Sequence, residues 1–268
     1  MSPAMASAHQ PRIVSESPII VNEPEISKAY YGKLFGTADS FLISATTSFD
    51  LYVGVLVPDG MGQKTDVSAV ILKNGSSTPF ATLSSEQATW KPFFEPFGHD
   101  NYLQGPEYKA HLEAGEYEVR VSSKNNDSKF SLAIGETEAF DFKEGMNALR
   151  LIPTLKRDFF NESPISFVLS PMGAGFIVVM YLLAFIFGFI YRALLRRFTK
   201  NSIRRQVKNI GNKDKLVRIG FGIILLLIAI STSWSPTLLF VSGFCFFEAL
   251  FSWCGLYAAL GQSTCPIE

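Results

Sequence analysis

Apolar and polar positions follow two different patterns along the chain, and the change falls near residue 165. From residue 12 to about 142, short segments rich in β-branched and aromatic residues are separated by turn residues. Tyr117, Val119 and Val121 alternate strictly with charged neighbours, which is typical of a strand with one buried face. The pattern predicts strands at 12–21, 28–34, 40–45, 49–58, 67–72, 116–122, 129–134 and 138–142.

Eight or so strands at this spacing predict a two-sheet sandwich of jelly-roll or immunoglobulin-like type over residues 9–160. Residues 86–114 depart from the pattern, because aromatic rings stand among prolines and glycines, and they predict a long, partly irregular crossing. Rings on such a loop can form a face for sugars or peptides, with carboxylates beside them to orient polar groups. This candidate ligand face comprises Trp90, Phe93, Phe94, Glu95, Phe97, Asp100 and Tyr102. In the alternative, the rings close one open end of the sandwich.

Residues 165–191 contain no charged side chain, and residues 192–218 carry ten Lys or Arg against one acid. An uncharged run of this length can cross about 30 Å of hydrocarbon as a helix. A dense basic loop beside a span is retained on the cytoplasmic side. The sequence therefore predicts a first transmembrane helix at 165–191 and places the preceding domain outside the cytoplasm.

The remaining chain predicts a cytoplasmic amphipathic segment at 192–217, whose basic side chains meet anionic headgroups of the inner leaflet. Two further spans, at about 216–234 and 237–260, form a hairpin that returns the C-terminus to the cytoplasm. The predicted fold class is thus an all-β sandwich ectodomain followed by an all-α membrane region of three transmembrane helices. We expect it in a bacterial inner membrane.

The balance of basic and acidic side chains also changes near residue 165. Residues 1–164 carry 14 basic and 21 acidic side chains, whereas residues 165–268 carry 10 and 3. An acidic first half offers no basic patch for nucleic acid, so we exclude nucleic acid as a partner. We expect the lipid bilayer and a membrane or extracytoplasmic protein as partners, and a second copy of the chain is a further candidate.

The first residues have a pattern of their own. Ala6, Ser7 and Ala8 are small residues at the spacing that signal peptidase accepts, and no apolar stretch precedes them. We interpret residues 1–8 as the remnant of a signal peptide whose apolar part lies upstream. The alternative is a disordered tail rich in small residues.

Two polar groups stand out in the membrane half. Glu248 lies about midway along the third predicted span, where a carboxylate is costly and marks a candidate functional site. Counting along the two helices places Arg218 within reach of it. The alternatives are an Arg218–Glu248 ion pair and a proton or ion pathway.

All three cysteines fall within the last 24 residues. On one continuous helix Cys254 and Cys265 would lie about 16 Å apart, too far for a disulfide. They could approach if the helix ends at Gly261 and the tail folds back. These two residues are a candidate thiol pair on the cytoplasmic side.

Catalytic and metal-binding patterns are absent from the sequence. His9, His99 and His111 are scattered and show no zinc-site spacing, and no Gly-x-Ser-x-Gly elbow or phosphate loop occurs. We predict no metal ligands, no cofactor and no catalytic residues, and we do not expect an enzyme.

A family resemblance is carried by the residues around the last two predicted spans. The pattern Asn-x-Gly-x-x-Asp-basic-x-x-Arg begins at Asn209, and Cys-x-x-Tyr-x-x-Leu-Gly-x-x-Thr-Cys begins at Cys254. Together they resemble the YgaP-like inner-membrane domain family over residues 205–267. That resemblance implies a two-span membrane domain of a kind that is fused to a sulfur-transferring rhodanese in some members. Gly255 stands where the family commonly has proline, and no rhodanese-like active-site cysteine is present, so sulfurtransferase activity does not carry over.

Residues 115–121 and 129–135 are similar, more loosely, to bacterial surface β-sandwich modules of the pre-peptidase C-terminal type. That resemblance implies a module that binds or caps. The sequence as a whole predicts a membrane-anchored extracytoplasmic binding or accessory subunit of unknown ligand. The alternative is a membrane protein that handles thiols or sulfur through Cys254 and Cys265.

Overall fold

The computed structural model describes residues 9–73, 76–198 and 208–265. The chain divides into two compact units, with the boundary between Ser163 and Pro164. The first unit is built on β-strands and the second on helices. The interpreted signal-peptide remnant at residues 1–8 and the centre of the predicted amphipathic segment 192–217 lie outside the described residues.

The first unit contains two sheets. In chain order the strands are β1 (Gln10–Ile13), β2 (Ile19–Val21), β3 (Lys28–Lys33), β4 (Asp39–Ala45), β5 (Phe49–Pro58), β6 (Ser68–Lys73), β7 (Ala81–Leu83), β8 (Lys91–Glu95), β9 (Asp100–Leu112), β10 (Gly115–Ser122) and β11 (Lys129–Ile134). One sheet has the order β1-β3-β11-β5-β9-β8, and the other has the order β2-β4-β10-β6-β7. The predicted strands 49–58 and 129–134 are confirmed with the same bounds.

The core lies between the two sheets. Every second residue of β5 is fully buried, from Leu51 through Val57, and Phe130 and Leu132 of β11 lie beside them. From the facing sheet, Phe41 and Val119 pack into the same cluster. The predicted alternation of buried and exposed positions therefore produces one shared apolar layer.

The N-terminal prediction of one strand at 12–21 was wrong. The segment forms β1 and β2, which belong to different sheets. Each pairs in parallel at a sheet edge, β1 with β3 and β2 with β4. Pro18 lies in the connection, where a residue without an N–H fits better than inside a ladder.

The predicted irregular crossing at 86–114 was also wrong, because most of it is a hairpin of β8 and β9. The long strand β9 pairs along nearly all of β5, with a register shift between Gly54 and Leu56. A shift of this kind bends and twists a strand locally. Prolines and glycines therefore occur here without breaking the sheet.

The strand predicted at 138–142 was wrong: residues 138–141 are irregular, and residue 142 begins a helix that was not predicted from the sequence. Helix α1 (Phe142–Thr154) begins after Asp141, whose carboxylate accepts a hydrogen bond from the backbone N–H of Glu144. This spacing of Asp and Glu is a helix-start signal. The helix continues as a π-helical turn, Leu155–Phe159.

The C-terminal part of this helical segment packs on the six-stranded sheet. Leu155, Phe159 and Phe160 form a small apolar cluster with Tyr102 of β9, and the ring of Tyr31 on β3 meets the edge of Phe159. The segment therefore covers part of the outer face of the six-stranded sheet.

A buried ion pair ties the same segment to the β8–β9 turn. The Nζ of Lys156 donates to Asp100 Oδ1 at 2.5 Å and to the carbonyl oxygen of His99 at 3.0 Å. Burial raises the pKa of the Asp100 carboxyl, while the adjacent Lys156 ammonium lowers it in part. A fully buried lysine needs such partners.

The second unit contains α2 (Pro171–Phe198), α3 (Asn212–Ser231), α4 (Pro236–Phe251) and α5 (Gly255–Leu260). Among the described residues, α2 is the one helix long and apolar enough to cross a membrane, over Pro171–Arg197, and α4 is a shorter apolar helix. The first predicted span is thus displaced toward the C-terminus, because residues 164–169 form a 3-10 helix.

The other predicted membrane elements differ in detail. The continuous helix predicted at 237–260 is interrupted at Ser252, which adopts a left-handed conformation with φ of 54°. Of the predicted amphipathic segment 192–217, residues 192–198 extend α2 and residues 212–217 begin α3. Three membrane-spanning helices therefore do not follow from helix length alone.

Close packing joins the helices of this unit. Ser242 of α4 donates to the carbonyl oxygen of Gly222 on α3 at 2.8 Å, and its hydroxyl also meets that of Tyr181 on α2 at 2.8 Å. Gly188 of α2 lies against Phe247, where an added Cβ would come within 2.5 Å of the ring. Small residues and shared hydroxyls are a usual means of joining apolar helices.

Replacing Lys156 with Ala is expected to lower the free energy of unfolding of the first unit by about 3–5 kcal/mol, because Asp100 would stay buried without its partner. Thermal unfolding of the purified full-length protein, followed by near-ultraviolet circular dichroism, measures the effect. Lys64→Ala is the matched control, since Lys64 pairs with Asp127 on the surface, and it should change little. Equal effects of the two substitutions would contradict the role given to Lys156.

Candidate functional site

The first unit has a groove beside the two edge strands β1 and β2. It has a volume of about 830 Å³ and is lined by side chains from both strands and from the start of α1. Ile13 and Ile20 are exposed apolar side chains along it, and Ile20 is 71% exposed. Phe140 borders it just before α1. Within the described residues, the groove therefore combines apolar side chains with two edge strands, β1 and β2, that each pair with a single strand.

Hydrogen bonds and an ion pair fix the orientation of the charged side chains that line the groove. Arg12 of β1 donates to both carboxylate oxygens of Glu144, at 2.8 and 2.9 Å, and to Gln10 Oε1 at 2.8 Å. A bidentate contact of this kind fixes both side chains in one orientation. Lys28 donates to the carbonyl oxygens of Asn22 and Glu23, and burial lowers its pKa. The groove thus has a preformed polar wall.

The residues of the predicted ligand face do not lie in this groove, and the structure distributes its aromatic residues among three environments. Phe93 and Tyr102 point into the cluster beneath the helical segment, and Tyr102 shares a 2.9 Å hydrogen bond with Tyr31. Trp90 packs against the main core and donates to the carbonyl oxygen of Ser85. Phe94 and Phe97 are exposed.

The two carboxylates of that predicted face occupy the β8–β9 turn. Glu95 accepts hydrogen bonds from the backbone N–H groups of Phe97 and Gly98, at 2.8 and 2.6 Å. Burial raises the pKa of Glu95, and these two hydrogen bonds lower it in part. Asp100 is committed to Lys156. Both carboxylates therefore stabilise the turn, and the proposed role in ligand binding stays a prediction.

In the second unit, the amide side chain of Asn209 joins the two sequence patterns of the membrane half. Its Oδ1 accepts from the backbone N–H of Cys254 at 2.7 Å, and its Nδ2 donates to the carbonyl oxygen of Cys254 at 2.9 Å. Its own carbonyl oxygen accepts from the N–H of Thr264 at 3.1 Å. One buried residue thus hydrogen-bonds to both backbone groups of Cys254 at the α4–α5 break and holds the C-terminal tail.

The tail also packs against the start of α3. Thr264 Oγ1 accepts from the N–H of Gly211 at 2.9 Å and donates to Asp214 at 3.1 Å. A Cβ on Gly211 would come within 2.3 Å of the Thr264 carbonyl oxygen. Glycine is therefore required here for close approach of the two backbones.

Arg218 extends this network into the helix bundle. Its guanidinium pairs with Glu248 through Nη1 and with Asp214 through Nε, the latter at 3.3 Å, and lies 5.3 Å from the ring centroid of Tyr257. Glu248 also interacts with the side chain of Cys254. The ion pair considered from the sequence is present in the structure, and it leaves Glu248 with a charged partner.

The cysteines are free thiols. Cys254 is buried at the α4–α5 break, and Cys265 is partly exposed in the tail beside Thr264. Asn209 brings the chain segments that carry them to the same part of the unit. Within the described residues, no group of three or more His, Cys, Asp or Glu side chains is arranged to hold a metal ion. The role of the thiol pair stays a prediction.

The residues of this hydrogen-bonded network lie in a segment that matches a known protein family. Residues 206–268 match the family described as the inner membrane protein YgaP-like, transmembrane domain. The resemblance stated from the sequence is therefore confirmed for the C-terminal segment, and the chain is a membrane protein whose β-sheet domain precedes this family segment. No curated protein matches the chain.

Three solved structures are similar to parts of the chain. The pre-peptidase C-terminal domain of a collagenase from Bacillus anthracis has 10% identity and a TM-score of 0.27, covering 48% of this chain and 95% of that one. The CBM35 module of a Cellvibrio japonicus protein has 21% identity and a TM-score of 0.22, covering 38% and 68%. The surface-associated copper-binding protein CorA of Methylomicrobium album BG8 has 7% identity and a TM-score of 0.24, covering 46% and 98%. Similarities at this level carry no conclusion about ligands.

Replacing Asn209 with Ala should leave the buried backbone N–H of Cys254 without its acceptor, whereas the carbonyl oxygen of Cys254 keeps the hydrogen bond from the N–H of Ala258. The loss is expected to be about 1–3 kcal/mol for the unpaired N–H and should open the α4–α5 break. The measurement is the rate of maleimide alkylation of Cys254 in native membranes, followed by mass spectrometry, with Cys245 as the internal reference.

Asn212→Ala is the matched control for this experiment. Asn212 is exposed at the start of α3, only three positions from Asn209. It should leave the alkylation rate of Cys254 unchanged. If Asn209→Ala also leaves it unchanged, Asn209 does not hold the break closed.

Proposed function

We propose that this is a bacterial inner-membrane protein that presents its β-sheet domain outside the cytoplasm and binds an extended peptide segment there as an accessory subunit. The observation that carries the binding role is the groove between β1 and β2, each of which pairs on one side only among the described strands. The anchoring role is supported by α2 and by the membrane family matched at 206–268.

The orientation is supported by charge. The basic side chains that follow the uncharged run at 165–191 belong on the cytoplasmic side, which places the first unit on the opposite side. We further propose that α3 and α4 with α5 also cross the bilayer, giving three spans. The Arg218–Glu248 pair would make this tolerable, because a paired charge costs less in hydrocarbon than an isolated one.

The groove favours a peptide over other ligands. An extended chain can add a strand to a free sheet edge through backbone hydrogen bonds, while pockets for alternate side chains supply specificity. Here Ile13 and Ile20 offer apolar contacts, and the Arg12–Glu144 pair offers both charges to polar groups. A partner protein with an extended segment fits this surface.

Peptide binding should raise the melting temperature of the full-length protein in detergent. At a ligand concentration of 100 Kd the stabilisation is about 2.7 kcal/mol, which corresponds to roughly 5–10 °C for a domain of this size. Pools of extended peptides, soluble glycans and calcium are compared by thermal unfolding. Stabilisation by glycans or calcium alone, or by none of the three, would contradict peptide binding.

A matched pair of substitutions locates the site. Ile20→Ser should abolish the shift caused by peptides, because Ile20 lies on the edge strand β2. Phe80→Ser should preserve it, because Phe80 is also exposed, at 51%, but precedes β7 at the opposite edge of the same sheet. Loss of the shift in both variants would point to a general effect on folding.

The proposed orientation predicts that protease added to intact spheroplasts removes the first unit and leaves a C-terminal tag protected. Immunoblotting for a tag at each end follows the two halves. Lysed spheroplasts are the control, in which the C-terminal tag should also be cleaved. Protection of the first unit in intact spheroplasts would show that the orientation is reversed.

A further inference from the structure

Acidic side chains outnumber basic ones in the groove between β1 and β2. Its lining carries two basic side chains, Arg12 and Lys28, against four acidic side chains: Glu16, Glu23, Asp141 and Glu144. Two cations against four carboxylates leave the lining with a net charge of −2. The surrounding domain has the same sign, with 14 basic and 21 acidic side chains over residues 1–164, so its field attracts cationic ligands.

Both cations of the lining are already bound by groups of the first unit itself. The guanidinium of Arg12 uses Nη1 and Nη2 on the two carboxylate oxygens of Glu144. Lys28 is only 7% exposed, and its ammonium donates to the carbonyl oxygens of Asn22 and Glu23 at 2.8 and 2.9 Å. A ligand in the groove therefore meets few cationic donors that are not already engaged.

Three carboxylates of the lining are exposed instead. Glu16 lies in the connection between β1 and β2, Glu23 follows β2, and Asp141 precedes α1. Among the described residues, no ion pair includes any of the three. The net negative charge of the groove is therefore carried by side chains that a ligand can reach.

The free side of β1 has one residue with a complete pair of backbone groups. The N–H groups of Gln10 and Val14 donate across to β3, and alternate residues of a parallel strand face the same neighbour. Pro11 and Ile13 therefore face away from β3. Pro11 has no N–H, and its carbonyl oxygen accepts from Arg12 Nη1 at 2.9 Å. Ile13 thus presents both an N–H and a carbonyl group at the edge.

Exposed apolar side chains share the groove with these carboxylates. Ile13, Ile20 and Phe140 are the exposed large apolar residues of its lining. Successive side chains of an extended peptide point to opposite sides, so one set of alternate side chains can contact the apolar residues while the other set reaches the carboxylates. The lining therefore suits a peptide whose two sets differ in chemistry.

We infer that the groove selects extended peptides in which lysine or arginine alternates with apolar residues. The peptide backbone pairs with β1 at Ile13, its apolar side chains contact Ile13 and Ile20, and its basic side chains pair with Glu16, Glu23 and Asp141. The inference rests on the proposed binding of a peptide in this groove and specifies the chemistry of that peptide. The partner is thus a protein with a basic, extended segment.

Two synthetic peptides of equal length test the selection. One alternates valine with lysine, and the other alternates valine with threonine, which keeps a strand-forming sequence without charge. Fluorescence anisotropy of labelled peptides measures the Kd of each for the full-length protein in a nonionic detergent. At low salt the valine–lysine peptide should bind roughly tenfold more tightly. High salt should remove most of this difference, because the screening length falls from about 10 Å at 0.1 M to about 3 Å at 1 M.

A pair of double variants locates the charge that matters. Glu16→Gln combined with Glu23→Gln should weaken binding of the valine–lysine peptide roughly fivefold and leave the valine–threonine peptide unchanged. Glu86→Gln combined with Glu113→Gln is the matched control, because it changes the charge of the domain by the same amount. Both control residues are exposed and lie outside the lining of the groove, so this variant should bind both peptides normally.

The outcomes separate this inference from the proposed function. Equal Kd values for the two peptides would overturn the selection of basic peptides and leave peptide binding intact. Binding of neither peptide would contradict peptide binding itself, and the inference would fall with it. If the two double variants weaken the valine–lysine peptide equally, or neither weakens it, attraction to the whole acidic domain replaces pairing in the groove and the inference is wrong.

Discussion

Polar groups that leave water in this chain need partners, and that requirement shapes both units. In the second unit the amide of Asn209 completes the backbone hydrogen bonds at the break between α4 and α5. In the first unit the ammonium of Lys156 is completed by Asp100 and by a backbone carbonyl group. Each residue joins parts of the chain that are far apart in sequence. Because a buried polar group is costly without its partners, these hydrogen bonds fix the positions of the segments that they join.

The same requirement explains why the sequence patterns of the membrane half occur together. Asn209, Gly211, Asp214 and Arg218 from one pattern contact residues around Cys254 and Thr264 from the other. The patterns are two sides of one hydrogen-bonded network. Matching to a membrane family over 206–268 therefore reflects a structural need and does not by itself specify a reaction.

Strand positions were largely predictable from sequence, because alternation directly reports which side chains face the core. The bounds of β5 and β11 follow from it. Helix α1 was missed because aromatic residues before it imitate a strand, although Asp141 and Glu144 carry a helix-start signal. The groove could not be predicted, since it depends on β1 and β2 entering different sheets. Nothing local in the sequence shows that Arg12 meets Glu144, 132 positions away.

The place of β11 has a consequence for how the protein is made. This strand is the last of the first unit in sequence, yet it lies between β3 and β5 in the middle of its sheet. Until it emerges, those two strands each lack a neighbour and expose unpaired backbone groups. At ribosomal rates of about 5–20 residues per second, α2 follows within seconds. Completion of the sheet and delivery of the membrane helix are therefore nearly simultaneous events during synthesis.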